Sequence, residues 1–470
     1  MKKKNEIPFW AKLGHSKPVS RRDFLATGII PFTAGLILPG WYDMILAPAA
    51  HASEAGCASG SGLPALMIVN LSGGSAMTAN FVPMLADGSM LPSYSKMGMG
   101  QSPEIVRDFN NVPFYSGGTF LQGLQSALAA ETSQTVRNNT SFVGLCVRSR
   151  DDSAENPFAI EGLASRAGLV GNIMPNLQRM AGGYNHKYAG ISPPAPLTVN
   201  AVNDIANSLG YAGALKNSLN QGQKQSLARL ISNLSSTQSR RLASNSSGAQ
   251  VAEIVRCAGI KNIDLNQGSF TGVSLNENTS EATAIRGAWG INANQNNNMS
   301  IFANVTYNVL KGNAGSGTIS LGGYDYHDQT RTTGDARDRE AGVIIGRILR
   351  TAELLGKPIF IYVTSDGSVV SQDSASGGTV WTSDRGDAGA LYMLAYDPKG
   401  RHETSAIQLG NFVAGQAADA SHLIGNTPEL AASAVFANYM SFAGRLGEFG
   451  AVAPGRFNSS QLDAVVKIAG

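Results

Sequence analysis

Residues 66–74 read Leu-Met-Ile-Val-Asn-Leu-Ser-Gly-Gly, an almost continuous apolar run that stops at two glycines. A continuous run, unlike an alternating one, is typical of a β-strand that is buried on both faces. Five more runs follow, the second of them weaker than the others, at 142–147, 196–199, 318–321, 359–363 and 391–396. The sequence therefore predicts an α/β fold, with a mostly parallel sheet flanked by helices on both faces.

Helical patterns lie between the later runs. Apolar residues recur at helical spacing in 335–355, where Gly356 and then Pro358 mark a typical helix end. A second apolar stripe occupies 427–447. We therefore expect a helix in each segment, packed against the sheet.

Polar stretches separate these elements. Residues 219–260 carry many Ser, Gln and Arg, and we expect two helices there, within a peripheral insertion that spans 203–260. Segments 262–300 and 367–390 are rich in Asn, Ser, Gly and Thr, which predicts long surface loops. The whole of 53–470 is predicted to be a single domain that carries the insertion.

Composition and charge exclude several classes of protein. Of the 470 residues, 43% are hydrophobic and 15% are charged, as in a folded globular chain. Residues 1–52 hold seven Lys and Arg against three Asp and Glu, which leaves 29 against 30 in the remainder. A body so close to neutral argues against nucleic acid as a partner. Beyond residue 52, no apolar stretch reaches the roughly 18 residues that a membrane span needs.

The first 52 residues resemble an export signal. Residues 20–25 read Ser-Arg-Arg-Asp-Phe-Leu, in which Arg21 and Arg22 form a twin-arginine pair. An apolar stretch and an Ala-His-Ala cleavage site at 50–52 follow. We expect cleavage there, with an uncleaved anchor as the alternative. The resemblance implies the twin-arginine translocase as a partner during export, and a periplasmic or secreted location.

The chain has three cysteines, Cys57, Cys146 and Cys257. In an oxidising compartment Cys146 and Cys257 could pair, which would leave Cys57 near the new N-terminus, either free or attached to lipid. No two of the three have the spacing of a zinc site.

Polar residues follow three of the predicted strands, at the strand ends where α/β sheets bind ligands. The first group is 72–80, Ser-Gly-Gly-Ser-Ala-Met-Thr-Ala-Asn. Gly73 and Gly74 allow a tight turn and offer N–H groups to an anion. Ser75 or Thr78 could be a nucleophile or a ligand. An ordinary glycine-rich turn is the alternative.

The second group is 322–328, Gly-Gly-Tyr-Asp-Tyr-His-Asp. Asp325 and His327 alternate, so their side chains share a face on an extended chain. Carboxylate and imidazole are ligands of Zn, Mn and Fe. The pair predicts a divalent-metal site, with a structural hydrogen bond between His and Asp as the alternative.

The third group is 364–368, where Asp366 is another candidate metal ligand. Further on, 381–387 reads Trp-Thr-Ser-Asp-Arg-Gly-Asp. Asp384 or Asp328 is a candidate to complete the metal shell, and Arg385 could bind a phosphate or sulfate bidentately. An exposed loop with internal salt bridges is the alternative.

Together, the twin-arginine start, the strand ending at 71–74 and the segment 322–327 resemble the exported family called domain of unknown function 1501, a relative of sulfatases in the alkaline phosphatase superfamily. Members have a Gly-Gly-aromatic-Asp-Thr-His segment before a long helix. A strand then ends in Ser-Glu-Phe-Gly-Arg. In this chain the corresponding segment is 364–368, Thr-Ser-Asp-Gly-Ser, which keeps an acid at Asp366. The resemblance implies an alkaline-phosphatase-like fold and one divalent ion (Zn, Mn, Fe or Ca) bound by Asp325, His327 and Asp366.

Three family positions differ in this chain. The acid usual in the first glycine turn is absent from 75–77, Ser-Ala-Met. The His of a Thr-Asp-His-Gly segment is absent from 382–386, and the His of a Ser-His-Phe segment is absent from 148–152. These departures disfavour a two-metal centre and leave a single-metal site or a catalytically silent relative.

Two functions stay open on the sequence alone. In the first, the chain is a metal-dependent hydrolase of phospho- or sulfo-esters, with Ser75 and Arg385 as catalytic residues and Arg148 and Arg150 as further cations for the ester anion. In the second, the same fold binds a cell-envelope component or assembles with a partner protein, without turnover.

Overall fold

The computed structural model describes residues 62–128, 134–150, 155–188, 190–208, 272–326, 329 and 331–470, with isolated positions between 220 and 233. The chain divides into two compact units, and the fold and the site described below belong to the larger one, which includes 58–207 and 270–470. The predicted signal peptide with Arg21 and Arg22, the residues Cys57, Cys257 and His327, and most of the predicted insertion at 203–260 lie outside the described residues.

The strands are short, and those at the centre of the main sheet are strongly apolar. In the described part of the chain they are β1 (Ala65–Leu71), β2 (Ile105–Asp108), β3 (Val112–Tyr115), β4 (Thr140–Cys146), β5 (Met174–Met180), β6 (Leu197–Thr198), β7 (Ala314–Leu321), β8 (Ile359–Ser365), β9 (Val369–Ser371), β10 (Trp381–Asp384), β11 (Ala390–Tyr396), β12 (Gln408–Leu409), β13 (Phe412–Val413) and β14 (Ala417–Ala418).

Eight of these described strands form one sheet, in the order β12-β4-β11-β8-β1-β7-β5-β6. β11 runs antiparallel to β4 and β8, and the other neighbouring pairs are parallel. The inner strands β4, β7, β8 and β11 are buried at every position, as continuous apolar runs require. The predicted α/β fold with a mostly parallel sheet is confirmed.

The helices differ widely in length. In the described residues they are α1 (Met77–Asn80), α2 (Thr119–Leu128), α3 (Gln134–Asn138), α4 (Glu161–Arg166), α5 (Asp204–Ser208), α6 (Ser280–Trp289), α7 (Asn298–Leu310), α8 (Arg331–Leu355), α9 (Pro428–Phe442), α10 (Phe449–Val452) and α11 (Ser459–Val465). None of them has the length and apolarity that crossing a bilayer requires.

Helices cover both faces of the sheet. Ile68 of β1 belongs to a buried cluster with α4 and α9. The neighbouring side chain, Met67, points to the opposite face. Its sulfur and the side chains of Val305 and Val309 of α7 all lie within about 3 Å of a Cβ built on Gly317. On this second face α8 packs along α2, and the core of the unit therefore has two layers, one on each side of the sheet.

The six predicted strands are all present in the sheet. Two further strands, Met174–Met180 and Gln408–Leu409, were not predicted. The helices predicted at 335–355 and 427–447 are also present, whereas the two predicted within 219–260 lie almost wholly outside the described residues. α8 begins at Arg331, and Gly356 ends it with φ of 58°. α9 begins at Pro428, as expected.

The prediction of a surface loop at 262–300 is wrong for part of that segment. α6 and the start of α7 lie there, and each begins at a polar N-cap. The side chain of Thr279 accepts from the N–H of Ala282, and Asn297 accepts from Ser300. The predicted loop 367–390 likewise contains the antiparallel pair β9 and β10.

The disulfide between Cys146 and Cys257 that the sequence left possible is not formed. Cys146, the last residue of β4, is a buried free thiol. Its proposed partner Cys257 lies outside the described residues.

Candidate functional site

The three polar segments follow three neighbouring strands at the centre of the sheet. β1 lies between β7 and β8, and Leu71 pairs in register with both Leu321 and Ser365. Because these strands are parallel, the segments after them leave the sheet side by side at its carboxyl edge. The topology thus brings the three candidate segments together.

The turn at Gly73 and Gly74 contacts a carboxylate of the chain itself. Their N–H groups donate to Oδ1 of Asp366 over 3.1 and 2.7 Å. Both glycines have positive φ, 109° and 89°, a backbone conformation that strains any side chain. Asp366 is only 4% exposed. The glycine turn, which was predicted to bind an anion, therefore binds the carboxyl of Asp366, which was predicted to be a metal ligand.

Asp325 and Asp384 lie against the same turn. A Cβ built on Gly73 would be 3.0 Å from the Cβ of Asp325, and one built on Gly74 would be 2.9 Å from Oδ1 of Asp384. Asp325 is exposed, whereas Asp384 is half-buried. Three of the four predicted metal ligands therefore surround the two glycines.

The donor set fits a divalent ion in chemistry but is incomplete in the described residues. Carboxylate oxygens and imidazole nitrogens are suitable ligands for Zn, Mn, Fe or Ca. Within the part of the chain that the structure describes, no three His, Cys, Asp or Glu side chains converge closely enough to hold an ion. His327 and its neighbour Asp328, which lie outside that part, would have to complete the set.

Ser75, the predicted nucleophile, is buried and hydrogen-bonded. Its hydroxyl donates to Oδ1 of Asp338 over 2.8 Å, and its side chain and backbone together are 1% exposed. Asn80 donates from Nδ2 to Oδ2 of the same carboxyl over 2.8 Å. Burial raises the pKa of Asp338 to about 7. A hydroxyl paired with a buried acid of this pKa is an arrangement found at functional sites.

Asp338 was not predicted from the sequence. It stands on the buried stripe of α8, three residues before Ala341 and seven before Ile345. A charged residue on an apolar helix face is the signal that could have found it, because a buried carboxyl needs hydrogen-bond partners.

The predicted arginines Arg148 and Arg150 contact the chain itself. Nη2 of Arg150 pairs with Oε1 of Glu429 over 2.7 Å, and its side chain is half-exposed. Nε of Arg148 donates to the carbonyl oxygen of Ala418 over 3.2 Å. Both roles as cations for an ester stay predictions.

Arg385 has a different environment. Its Nε pairs with Oδ1 of Asp387 over 2.6 Å, and its side chain is 13% exposed. Its Nη1 is buried and has no hydrogen-bond partner in the described residues. The backbone of Arg385 exchanges hydrogen bonds with Ser368, two residues after Asp366. Arg385 therefore presents a buried donor in the segment beside the glycine turn.

Comparison with known proteins gives little likeness. No protein-family model and no curated protein sequence matches the chain. Two similar solved structures are the alkaline phosphatase from the Antarctic bacterium TAB5 and a mutant of the TAB5 enzyme with Mg bound in its M3 site. They are 13% and 12% identical to this chain, each with a TM-score of 0.21 and with 71% of this chain and 91% of the other covered. A likeness at this level carries no argument about activity, which must be argued from the chain's own residues.

Proposed function

We propose that this chain is an exported, divalent-metal-dependent hydrolase of phospho- or sulfo-esters that acts in the periplasm or outside the cell. The observation that carries the proposal is the grouping of Asp325, Asp366 and Asp384 around the glycine turn, at the carboxyl edge of the central strands. Carboxylate oxygens are ligands of Zn, Mn, Fe and Ca, and His327 would have to complete the set. This edge of a parallel sheet is also where substrates bind.

The residues would have separate tasks. The N–H groups of the turn fix the orientation of Asp366, as hydrogen bonds do for ligand carboxylates in metal sites. Asp325, His327 and Asp384 would supply the other donors. A divalent ion held there (Zn, Mn, Fe or Ca) would polarise the ester and lower the pKa of a bound water.

Two further groups support ester chemistry. The buried Nη1 of Arg385 would neutralise the ester anion, because a guanidinium suits phosphate and sulfate oxygens. Ser75 is the candidate nucleophile, and its hydroxyl proton is already directed at Asp338.

Elemental analysis tests this proposal. The protein is purified after its own export and without chelators, and about one equivalent of metal is expected. His327→Ala and Asp366→Asn should lose the metal, and hydrolysis of aryl phosphates and sulfates should fall with it. Glu340→Gln, a half-exposed position on α8, is the control that should keep both. Full metal content and full activity in Asp325→Ala and His327→Ala would overturn the proposal.

The second candidate is a non-catalytic protein of the cell envelope that binds or assembles with a partner. It is favoured by one observation: the groups expected to bind an anion or attack an ester are used inside the fold. Asp366 accepts from both glycines, Ser75 donates to Asp338, and Arg150 pairs with Glu429. It predicts a metal-free, folded protein without turnover, in which mutation of Asp325 and His327 changes stability alone.

A further inference from the structure

Asp338 is a buried carboxyl whose hydrogen-bond partners are all neutral. It is 1% exposed, and it accepts hydrogen bonds from the Ser75 hydroxyl and the Asn80 amide, both over 2.8 Å. The hydroxyl of Tyr326 adds a longer contact of 3.4 Å to Oδ1. No Lys, Arg or His of the described residues forms an ion pair with it. A buried charge without a cation is costly, so the hydrogen bonds must stabilise it.

The groups that contact Asp338 stand at both ends of one short element. Ser75 precedes α1 and follows the glycine turn directly, and Asn80 is the last residue of α1. The N–H of Ser75 also donates to the hydroxyl of Ser365, over 2.7 Å. Oδ1 of Asn80 accepts from the N–H of Phe120 at the start of α2. One carboxyl on α8 therefore ties α1 at both ends, at the point where the chain leaves the glycine turn.

We infer that Asp338 is a positioning residue. Through Ser75 and Asn80 it fixes the glycine turn at Gly73 and Gly74, and this turn orients Asp366. The effect on metal binding rests on the proposed function, whereas the effect on the turn does not. The carboxyl acts through residues 73–80, because it accepts hydrogen bonds from Ser75 and Asn80, and the N–H groups of Gly73 and Gly74 donate to Asp366.

The two protonation states of Asp338 impose different hydrogen bonds. As a carboxylate, it accepts from all three neighbours. As a neutral acid, it must donate once, and because the Asn80 amide nitrogen can only donate, the proton goes toward the hydroxyl of Ser75 or Tyr326. Burial raises the pKa of Asp338 to about 7, the hydrogen bonds from Ser75 and Asn80 oppose that shift, and Asp335 on the same helix adds to it. Tyr324 and Tyr392 are the other titratable groups that face it.

Amide hydrogen exchange tests the inference without any metal. In the wild type, the N–H groups of Gly73 and Gly74 are protected by Asp366. Asp338→Ala should raise their exchange rate by about tenfold or more, because α1 loses its tie at both ends. Asp338→Asn should keep most of the protection, since its amide can accept from Asn80 and donate to Ser75. Glu340→Gln should leave the rate unchanged.

Metal titration supplies the second measurement. With Mn²⁺ as the probe, Asp338→Ala should weaken binding by roughly 10- to 100-fold, as loss of a supporting residue does in metal sites. Asp338→Asn should bind Mn²⁺ with a weaker dependence on pH between about pH 6 and about pH 8 than the wild type, because only the proton of Asp338 is removed from the profile. A merely structural carboxyl would leave that profile unchanged.

The outcomes separate the two proposals. If the wild type binds no Mn²⁺ but exchange at the turn rises in Asp338→Ala, the proposed function fails and the positioning role stands. If exchange at Gly73 and Gly74 is the same in Asp338→Ala as in the wild type, the positioning role is wrong. Should Asp338→Ala fail to fold, Ser75→Ala removes one of the two ties, and unchanged exchange there counts equally against the inference.

Discussion

The carboxyl of Asp338 also connects the stability of the fold to pH. Burial raises its pKa from the ordinary 3.8 to about 7, so the folded state binds this proton more tightly than the unfolded chain does. The resulting stabilisation is fully present below about pH 4 and is lost as the pH rises to about 7. We expect the free energy of unfolding to fall over this window by an amount on the order of a few kcal/mol.

The comparison with Asp338→Asn isolates this contribution, because the amide has the same shape and does not ionise. Urea denaturation from about pH 4 to about pH 8 should show the wild type losing stability relative to the variant as the pH rises. Glu340→Gln should follow the wild-type profile. Parallel profiles for the wild type and Asp338→Asn would show that Asp338 keeps an ordinary pKa.

Single residues also show how far the site could be predicted. The strand-end positions of Asp325 and Asp366 follow from apolar runs that end in polar residues, which a sequence displays directly. Asp384 was expected in a surface loop, and β10, which it ends, was not predicted. The contact of Asp366 with the glycine turn does not follow, because it joins residues almost 300 positions apart. Asp338 was missed for a related reason: α8 carries many charged residues, and only their position on the buried stripe distinguishes this one.

At the scale of elements, α2 and α8 pack closely because glycines lie between them. A Cβ on Gly342 of α8 would be 2.1 Å from the carbonyl oxygen of Phe120, and one on Gly123 of α2 would be 2.1 Å from that of Arg339. Backbone atoms cannot yield as a flexible side chain does. We expect Gly342→Ala to destabilise the fold by about 2 kcal/mol, although alanine is the better helix former.

Gly287 of α6 is the matched control for this substitution. It lies within a helix and has no atom within 4 Å of a built Cβ. Gly287→Ala should therefore stabilise the protein by roughly 0.5 to 1 kcal/mol through helix propensity alone. Denaturation of the two variants should give changes of opposite sign. Stabilisation by both would mean that the two helices are packed less closely than described.

The elements themselves were predictable to different degrees. The buried strands were found because a strand covered on both faces is apolar throughout. β5 was missed because it carries Asn176, Gln178 and Arg179, whose polar ends hydrogen-bond to Pro194, Thr198 and Asn200 in and around the edge strand β6. α6 was missed because Asn, Ser and Thr are typical of loops and also of helix N-caps, and composition alone does not distinguish the two.

At the scale of the larger unit, one sheet joins segments from almost its whole length. β4, β11 and β8 are neighbours in the sheet, although they begin at residues 140, 390 and 359 and are therefore far apart in the sequence. Such a sheet cannot lose an inner strand without exposing both apolar layers, so we expect the unit to unfold cooperatively. Cys146 at the end of β4 provides a probe, because it is completely buried among these strands.

Thiol labelling of Cys146 should therefore report the unfolding of the whole unit. Burial raises the pKa of this thiol, and the thiolate is the reactive form, so the native protein should leave it unmodified. With urea, its labelling rate should rise with the same denaturant dependence as global unfolding measured by circular dichroism. Mass spectrometry of the labelled peptide, with Cys146→Ala as the control, separates it from the other two cysteines. A labelling rate independent of urea would instead mean that β12 and the end of β4 open locally while the rest of the sheet stays intact.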